Sequence, residues 1–519
     1  RARVPRGLTA STLYRLLVAD LAGRKGDIGV ALQGYLETAR ETRDPRVAER
    51  ATRLALYANR PEAALEAAQR WSSLAPDSQE AHSVLARLYL QRGEVEPATR
   101  ELRRVVELAG GEPEAGLERV QSLVSGSSNP QAALEAIERI ADEYADQATA
   151  HYAVAELAAE VEGPDRALRA LDRALALDPD YTAALVLRAE VLIDAGREEE
   201  AFTGLREAYR AQPGDRDLAL GYVRLLIRTG RIEKGREEMQ RVHERFGDDP
   251  HAVYSLALLA MQAEIWTDAR LYLERLLQMD ARTSRAHYYL GRIAQQQGEC
   301  TRALRHYIKV GQGEHRFDAG LRAATCMAEL DRIDEARLHL DRMRSRYSAE
   351  QALVQIARTH AQVERQAGSE ERALDVLGNT VEQFPDNLEL RYSRALLAAE
   401  IDRFELARSD LNAILEQEPD NPRALNALGY MLANRNMELD RARSMIERAL
   451  EQNPDDAATL DSMGWVLYRQ GRNREALEYL RRAWEADPDP EIAAHLGEVL
   501  WTLGRRDEAR RIWDEGREQ

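Results

Sequence analysis

The amino-acid sequence predicts an all-α protein made of stacked helical hairpins. Three observations predict it: one unit of 33 to 37 residues recurs along almost the whole chain, small residues occupy two places in that unit, and prolines recur near its end. A fixed period of this length is typical of repeat architectures, in which each unit buries its apolar face only against its neighbours. The fifteen units begin at residues 12, 45, 79, 114, 148, 182, 216, 250, 284, 317, 354, 388, 422, 457 and 490.

Small residues within each unit indicate two helices that cross closely. When places are counted from the start of each unit, place 20 is alanine in fourteen units and glycine, Gly235, in the remaining one. In the unit that starts at 422, one inserted residue moves this alanine to Ala442. Place 8 is glycine or alanine in twelve units. Small side chains let two helices approach each other, and the larger apolar residues around them fill the seam.

Prolines mark the ends of the second helices. Proline cannot continue the helical hydrogen-bond ladder, and it biases the preceding residue away from helix. The sequence therefore predicts that second helices end just before Pro76, Pro179, Pro213, Pro385, Pro419, Pro454 and Pro488. The "DP" and "NP" pairs at these points are interpreted as punctuation and not as sites.

Composition narrows the classes of function. The 519 residues are 44% hydrophobic and 31% charged, and no apolar run is long enough to cross a bilayer. The net charge of -17 works against binding to nucleic acid, so nucleic acid is not expected as a partner. Residues 1–60 differ from the rest, because they contain twelve Arg or Lys against six Asp or Glu. The amino-terminal end is therefore expected to present a basic surface.

The sequence contains no motif of an enzyme or of a metal site. Cys300 and Cys326 form neither a CxxC pair nor a metal-ligand spacing with the ten histidines. Gly-rich phosphate loops after a strand, HExxH and GxSxG are also absent from the sequence. We expect a protein without catalytic residues, cofactor or metal.

The repeated unit resembles the tetratricopeptide repeat family. In "DAATLDSMGWVLYRQGRNREALEYLRRAWEADP", Gly464, Ala476 and Pro488 stand at places 8, 20 and 32. The resemblance covers residues 12–519 and implies a tetratricopeptide repeat solenoid, a right-handed superhelix of about 15 helical hairpins. It also implies that places 2, 5, 9, 12 and 13 of each first helix line a concave surface that binds other proteins.

Aromatic residues recur at these places, mainly in the second half of the chain. They suit peptide capture, because a ring offers a large contact area at low entropic cost. The alternative is that rings at these places pack on the first helix of the next unit. The predicted concave groove contains Tyr254, Tyr288, Tyr392, Asn426, Tyr430, Trp465, Tyr468 and Trp501.

Two further observations concern what the predicted groove binds. Chaperone-binding members of the family have Lys at place 5 and Asn at place 9, whereas this chain has neither there and has Asn426 at place 5; a chaperone cofactor is therefore disfavoured. Arginines beside the rings could bind carboxylates, although a solvated surface is the favoured interpretation for them. They are Arg292, Arg358, Arg365, Arg423 and Arg469.

The two ends of the chain resemble a proteobacterial group of outer-membrane lipoproteins, the LbcA type. The start, with "LYRLLVADLAGRKGD" and "TRDPRVAERA", is the more specific part, and the ending from "LNALGYMLANRN" is shared more widely. The resemblance implies an adaptor that binds a periplasmic carboxyl-terminal processing serine protease and delivers cell-wall hydrolases to it as substrates. It also implies a lipid anchor upstream of Arg1 and a position on the periplasmic face of the outer membrane. A structural scaffold for an envelope secretion or polysaccharide-export complex is the alternative.

The first hairpin is the candidate docking end for the protease. Leu13, Leu16, Leu17 and Leu21 stand at helical spacing, and no earlier unit is present to cover them. The alternative is that these leucines pack only within their own hairpin.

The predicted docking end and aromatic groove divide the chain into three parts. They are residues 1–44 as the docking end, 45–283 as amino-terminal repeats, and 284–519 as carboxyl-terminal repeats with the aromatic groove. Soft turns near 125–130 and 311–318 suggest hinges; the alternative, which is favoured, is merely a longer loop at each point.

Overall fold

A computed structural model describes residues 9–518 of the chain. Within this range it contains thirty α-helices, which alternate as the first and second helices of the fifteen units. Contacts between Cα atoms divide the chain into two compact units, the first ending at Arg275 and the second beginning at Leu276. The all-helical fold predicted from the repeat is confirmed for the described residues.

The first compact unit contains fifteen complete helices. They are α1 (Ala10–Arg24), α2 (Ile28–Glu41), α3 (Pro45–Tyr57), α4 (Pro61–Leu74), α5 (Gln79–Gln91), α6 (Val95–Glu107), α7 (Pro113–Ser125), α8 (Pro130–Glu143), α9 (Ala148–Val161), α10 (Pro164–Leu177), α11 (Thr182–Asp194), α12 (Glu198–Ala211), α13 (Arg216–Arg228), α14 (Ile232–Phe246) and α15 (Pro250–Gln262). The division between the units falls within α16 (Trp266–Gln278).

The second compact unit contains fourteen complete helices. They are α17 (Thr283–Gln296), α18 (Cys300–Tyr307), α19 (Arg316–Glu329), α20 (Ile333–Arg346), α21 (Glu350–Gln366), α22 (Glu370–Gln383), α23 (Leu388–Glu400), α24 (Phe404–Gln417), α25 (Pro422–Asn434), α26 (Leu439–Gln452), α27 (Ala457–Arg469), α28 (Asn473–Ala486), α29 (Pro490–Thr502) and α30 (Arg506–Glu518).

Helix boundaries follow the repeat closely. Ten first helices begin at the predicted residue, and the other five begin one to four residues earlier, the largest difference being Glu350 against the predicted 354. Every second helix that precedes one of the seven prolines ends two residues before it, as Ala486 does before Pro488. Caps fix the starts: for example, the Asp456 carboxylate accepts the backbone N–H of Thr459 at 2.9 Å.

The close helix crossing predicted for each hairpin is present. Alanines at place 20 are buried, and Ala476, Ala407 and Ala303 have no exposed surface. At place 8, a methyl group added to Gly464 would lie 2.4 Å from Leu480 Cγ and 3.1 Å from the carbonyl oxygen of Ala476. The helix backbones thus approach so closely that even one methyl group does not fit.

Arginines at place 26 connect successive repeats. In the second compact unit, Arg482 donates to the carbonyl oxygen of Pro454 at 3.0 Å, and its guanidinium lies 3.5 Å from the Asp455 carboxylate. Arg448 makes the same pair of contacts with Pro419 and Asp420. Arg70, Arg104 and Arg275 likewise donate to backbone carbonyls of the preceding repeat within the first unit. The segments that follow the second helices therefore also accept hydrogen bonds from the next repeat, as the NP pair at Pro454 does.

Irregular segments lie where the repeat is disturbed. Helix α18 has only eight residues, and residues 308–315 connect it to α19. The turn after α7 is short, and the Asn129 side chain caps α8 by accepting the backbone N–H of Ala132. Hinge motion at 125–130 and 311–318 remains a prediction.

Cys300 and Cys326 are both buried and carry free thiols. No cluster of three metal-ligand residues occurs within residues 9–518. In the same part of the chain, no helix combines the length and the apolar character that crossing a membrane requires.

Replacing Gly464 with alanine tests the close crossing. We expect the free energy of unfolding to fall by about 1–3 kcal/mol, because Leu480 and the backbone of α28 must move apart. Urea denaturation followed by circular dichroism measures this change.

Gly29→Ala is the matched control, because Gly29 is exposed on α2 and an added methyl group would meet only the Asp27 carboxylate at 3.8 Å. Alanine is the better helix former, so this variant should be at least as stable as the parent. Equal stability of Gly464→Ala and the parent protein would contradict the argument.

Candidate functional site

The richest cluster of polar and aromatic side chains lies on three neighbouring first helices, α25, α27 and α29. We call Tyr430, Asp461, Trp465, Glu491 and His495 the α27 cluster. Its centre is the Trp465 ring, which is 6% exposed and stacks on His495 with ring centres 4.1 Å apart and planes inclined by 22°. Trp465 therefore packs on the first helix of the next unit, as the packing alternative predicted.

A buried hydrogen bond holds His495 in place. Its Nδ1–H donates to Asp461, with distances of 2.8 Å and 3.0 Å to the two carboxylate oxygens. Burial raises the pKa of the Asp461 carboxyl, and the hydrogen bond from His495 opposes that rise. The Asp461–His495 contact joins α27 to α29 and orients the imidazole ring beneath Trp465.

Two tyrosine hydroxyls on this face donate to exposed carboxylates of α29. Tyr430 reaches from α25 past α27, and its hydroxyl donates to Glu491 Oε1 at 2.7 Å. Tyr468, whose ring centre is 5.3 Å from that of Trp465, donates to Glu498 Oε1 at 3.0 Å. Both rings are half-buried, and both carboxylates are exposed.

Two enclosed polar atoms on this face lack a hydrogen-bond partner among the described residues. They are the indole Nε1 of Trp465, a donor, and the side-chain oxygen Oδ1 of Asn426, an acceptor. Buried polar groups are nearly always paired, since an unpaired one loses its hydrogen bonds to water without replacement. These two atoms thus have unused hydrogen-bonding capacity.

The other predicted groove residues lie in separate neighbourhoods. Tyr254 is buried on α15 in the first compact unit. Tyr288 is buried on α17, stacks on His315 and donates to Asp318 at 2.7 Å. Half-buried Tyr392 on α23 lies under the guanidinium of Arg423, and Trp501, 39% exposed on α29, faces Trp513. The structure brings together Tyr430, Trp465 and Tyr468 of the predicted set, with Asn426 on the same helix as Tyr430.

The arginines beside the rings pair mostly with carboxylates of a neighbouring repeat. Arg423 contacts Glu389 at 3.0 Å, Arg358 contacts the same carboxylate at 3.6 Å, and Arg365 contacts Glu400 at 2.6 Å. These three are thus held in ion pairs along the face, a role that the favoured interpretation as solvated surface did not include.

Helix α1 presents an apolar face that nothing in residues 9–518 covers. Leu13, Leu17 and Leu21 are 48%, 55% and 57% exposed, and Tyr14 lies exposed beside them. Leu16 instead packs inward against the cluster of α2, α3 and α4. Exposed leucines grouped on one helix are typical of an interaction surface.

Sequence reasoning missed four carboxylate and imidazole groups: Asp461, Glu491, His495 and Glu498. Three of them stand at places 5, 2 and 9, where the aromatic residues were sought. Reading all polar residues at these places would have found the carboxylates. No sequence signal shows that Trp465 stacks on His495, because that contact depends on how two neighbouring units pack.

A family model of the tetratricopeptide repeat matches residues 155–216, 254–319, 358–422, 394–457 and 462–516. A second model of the same repeat matches residues 55–117 and 200–259. The chain belongs to the tetratricopeptide repeat family. Proteins built from these repeats bind protein partners, and the repeat by itself does not name the partner.

Relatives extend the comparison. The chain is 35% identical over 487 residues to the "TPR repeat-containing protein PA4667" of Pseudomonas aeruginosa, an alignment that covers 94% of this chain and 82% of that one. It is 26% identical over 364 residues to the "Cellulose synthase operon protein C" of Xanthomonas axonopodis pv. citri, covering 68% of this chain but only 22% of that relative.

Solved structures with similar folds include two bacterial repeat proteins. A tetratricopeptide repeat protein from Parabacteroides merdae is 15% identical with a TM-score of 0.37, and the match covers 46% of this chain and 93% of that one. A thermophilic repeat protein from Thermus thermophilus is 23% identical with a TM-score of 0.30, covering 33% and 91% respectively.

Alanine at Trp465 should destabilise the second compact unit. The ring is almost fully buried and carries the stack on His495, so we expect a loss of about 3–5 kcal/mol. Trp501→Ala is the control, because that ring is far more exposed, and its loss should be clearly smaller. Thermal unfolding of both variants gives the comparison; similar melting temperatures would show that the Trp465 ring contributes little packing.

Proposed function

We propose that this chain is a non-catalytic adaptor that binds a periplasmic carboxyl-terminal processing serine protease and brings protein substrates to it. The uncovered leucine face of α1 is the observation that carries the proposal. It lies in the stretch whose sequence resembles the LbcA-type lipoproteins most specifically, and it has the apolar character of a docking surface.

The opposite end of the repeat array supports this assignment by contrast. In α30, Ala509 and Gly516 are buried, Ile512 and Trp513 are half-buried, and the exposed positions are charged. A terminal helix of a repeat protein ordinarily presents such a polar outer side to water. Within residues 9–518, α30 thus presents a charged outer side, whereas α1 presents exposed leucines.

Substrates, which we propose to be cell-wall hydrolases, would bind along the first-helix face of the second compact unit. This face combines the half-buried rings of Tyr430 and Tyr468 with polar atoms that have no partner among the described residues. Many shallow contacts of this kind suit the capture of segments from more than one protein. In this proposal the adaptor acts at the periplasmic face of the outer membrane, tethered by a lipid anchor upstream of Arg1.

A structural scaffold for polysaccharide export is the second candidate. The likeness to the "Cellulose synthase operon protein C" favours it, since that relative matches 68% of this chain. The alignment spans only 22% of that relative, and its identity is lower than that of the Pseudomonas protein. We therefore place the adaptor first.

Cross-linking of cell envelopes followed by purification of the tagged full-length protein distinguishes the two candidates. Recovery of a serine protease with a PDZ domain supports the adaptor. Recovery of polysaccharide-export components without the protease would favour the scaffold and reject the adaptor.

The double variant Leu17→Glu, Leu21→Glu tests the docking end. Two carboxylates on the exposed face should weaken binding of the purified protease by about tenfold or more, because they cannot be buried against an apolar partner. Since both leucines are exposed, the melting temperature should stay close to that of the parent. Isothermal titration calorimetry measures the affinity.

Leu338→Glu is the matched control, because Leu338 on α20 is 50% exposed. It should bind the protease as the parent does.

Removal of residues 1–44 should abolish protease binding and leave substrate binding intact. Protease binding that survives the truncation would reject α1 as the docking helix.

Alanine at both Tyr430 and Tyr468 tests the substrate face. Losing two rings that contact a ligand should weaken substrate binding by about tenfold or more. Tyr479→Ala is the control, because Tyr479 is also half-buried but lies on the second helix α28. Unchanged affinity of the double variant for a hydrolase substrate, measured by surface plasmon resonance, would place the binding surface elsewhere.

A further inference from the structure

The two cysteines of the sequence lie next to each other in the second compact unit. Cys300 is the first residue of α18, and Cys326 lies near the end of α19, the first helix of the following repeat. Both side chains belong to one apolar cluster, in which Cys300 is 5% exposed and Cys326 is fully buried. Both thiols are free in this structure.

Hydrogen bonds place the two sulfur atoms side by side. The Cys300 S–H donates to Glu329 Oε2 at 2.8 Å, and Glu329 lies three residues after Cys326 on α19. Residues three apart on a helix are neighbours on one face. Cys300 therefore meets the part of α19 from which the Cys326 side chain extends. The two thiols also hydrogen-bond to each other.

The surroundings make both thiols unreactive in the folded protein. Burial raises the pKa of both, and hydrogen bonds to Cys326 and Glu329 raise the pKa of the Cys300 thiol further. The thiolate is the form that attacks other sulfur atoms, and here both sulfur atoms are protonated and enclosed. Redox-sensing cysteines have the opposite character, a low pKa and access to solvent. The pair thus suits a structural bond and not a reaction of the folded chain.

The two cysteines flank the most irregular stretch of the repeat array. Helix α18, with eight residues, is the shortest of the helices in residues 9–518, and residues 308–315 connect it to α19. Cys300 precedes this connection and Cys326 follows it. A covalent link across such a loop restricts the unfolded chain and so favours the folded state.

We propose that Cys300 and Cys326 form an intra-chain disulfide bond, made while the chain folds in an oxidising compartment. The oxidant is itself a disulfide, of a small thiol or of a thiol–disulfide oxidoreductase. Within the 519 residues there are two cysteines, so no other intra-chain pairing competes. The inference goes beyond the proposed adaptor function, although the periplasm of that proposal is a compartment of this kind.

The bond forms by two exchange steps. Before α18 and α19 dock, water reaches both thiols, and one of them loses its proton and attacks a sulfur atom of the oxidant. A mixed disulfide forms, and one thiolate leaves. As the helices approach, the second cysteine loses its proton and attacks the mixed disulfide, which forms the Cys300–Cys326 bond and releases the other thiolate. The cysteines lose two electrons and two protons, and the oxidant becomes two thiols.

Oxidative refolding of the 519-residue chain tests the proposal. The reduced protein is unfolded in urea and diluted into oxidised glutathione, and the remaining thiols are then labelled with a maleimide in urea. We expect no labelled thiol, a mass about 2 Da below that of the reduced protein, and two tryptic peptides joined through Cys300 and Cys326. Two free thiols, glutathione adducts or disulfide-linked dimers as the main product overturn the proposal.

Addition of the same oxidant to the folded, reduced protein is the control. Burial should make this oxidation at least about tenfold slower than oxidation during refolding, because neither sulfur atom is accessible or ionised. Equal rates would contradict formation during folding. Both assays contain neither protease nor envelope, so their results do not depend on the adaptor function.

Thermal unfolding measures what the bond contributes. The parent refolded in oxidised glutathione should melt about 4 °C or more above the parent refolded in reduced glutathione. The double variant Cys300→Ala, Cys326→Ala is the matched control and should melt at one temperature in both buffers. Linked peptides are detected on the parent chain itself, so a variant that folds poorly does not obscure the bond. Equal melting temperatures of the linked and the reduced parent would refute its stabilising role.

Discussion

The close approach of the two helices in each hairpin is the constraint on which the rest of this structure depends. At Gly464 the approach leaves no room for a methyl group, and at Gly497 an added methyl group would lie 2.0 Å from the Trp513 indole nitrogen. Small residues recur at place 20 of all fifteen units and at place 8 of twelve of them, so the close approach recurs along the chain. First helices therefore present the same places outward in each repeat, and residues far apart in sequence, such as Tyr430 and Glu491, reach each other.

Hydrogen bonds and ion pairs of arginine side chains connect neighbouring repeats. Arginines at place 26 reach back to the last turn of the preceding repeat, as Arg482 does to Pro454, and arginines on the first helices reach to carboxylates of a neighbouring repeat. Exposed ion pairs contribute little energy one at a time, but a regular series restricts how neighbouring hairpins are rotated.

The repeat made the helices predictable, because places 8, 20 and 32 are determined within one hairpin and one period. Helix starts such as Ala457 and helix ends before Pro488 follow from such local rules, namely capping and the missing N–H of proline. The site was only partly predictable. Trp465 and Tyr468 were located from their places, but the burial of Trp465 follows from His495, which lies thirty residues later and is oriented by Asp461. The stacking of side chains from two neighbouring units depends on how the two units pack together. The sequence pattern within one unit does not predict this packing.

The candidate docking end and the candidate substrate face lie in different compact units, since α1 belongs to the first and the α27 cluster to the second. In a repeat protein contacts are confined to nearby hairpins, so a substitution in one hairpin alters distant hairpins little. The effects of the Leu17 and Tyr430 substitutions on binding should therefore add. A single-domain globular adaptor offers no such separation, because its two binding surfaces share one core. For the proposed adaptor, the repeat architecture thus gives a physical reason why two binding surfaces on one chain need not distort each other.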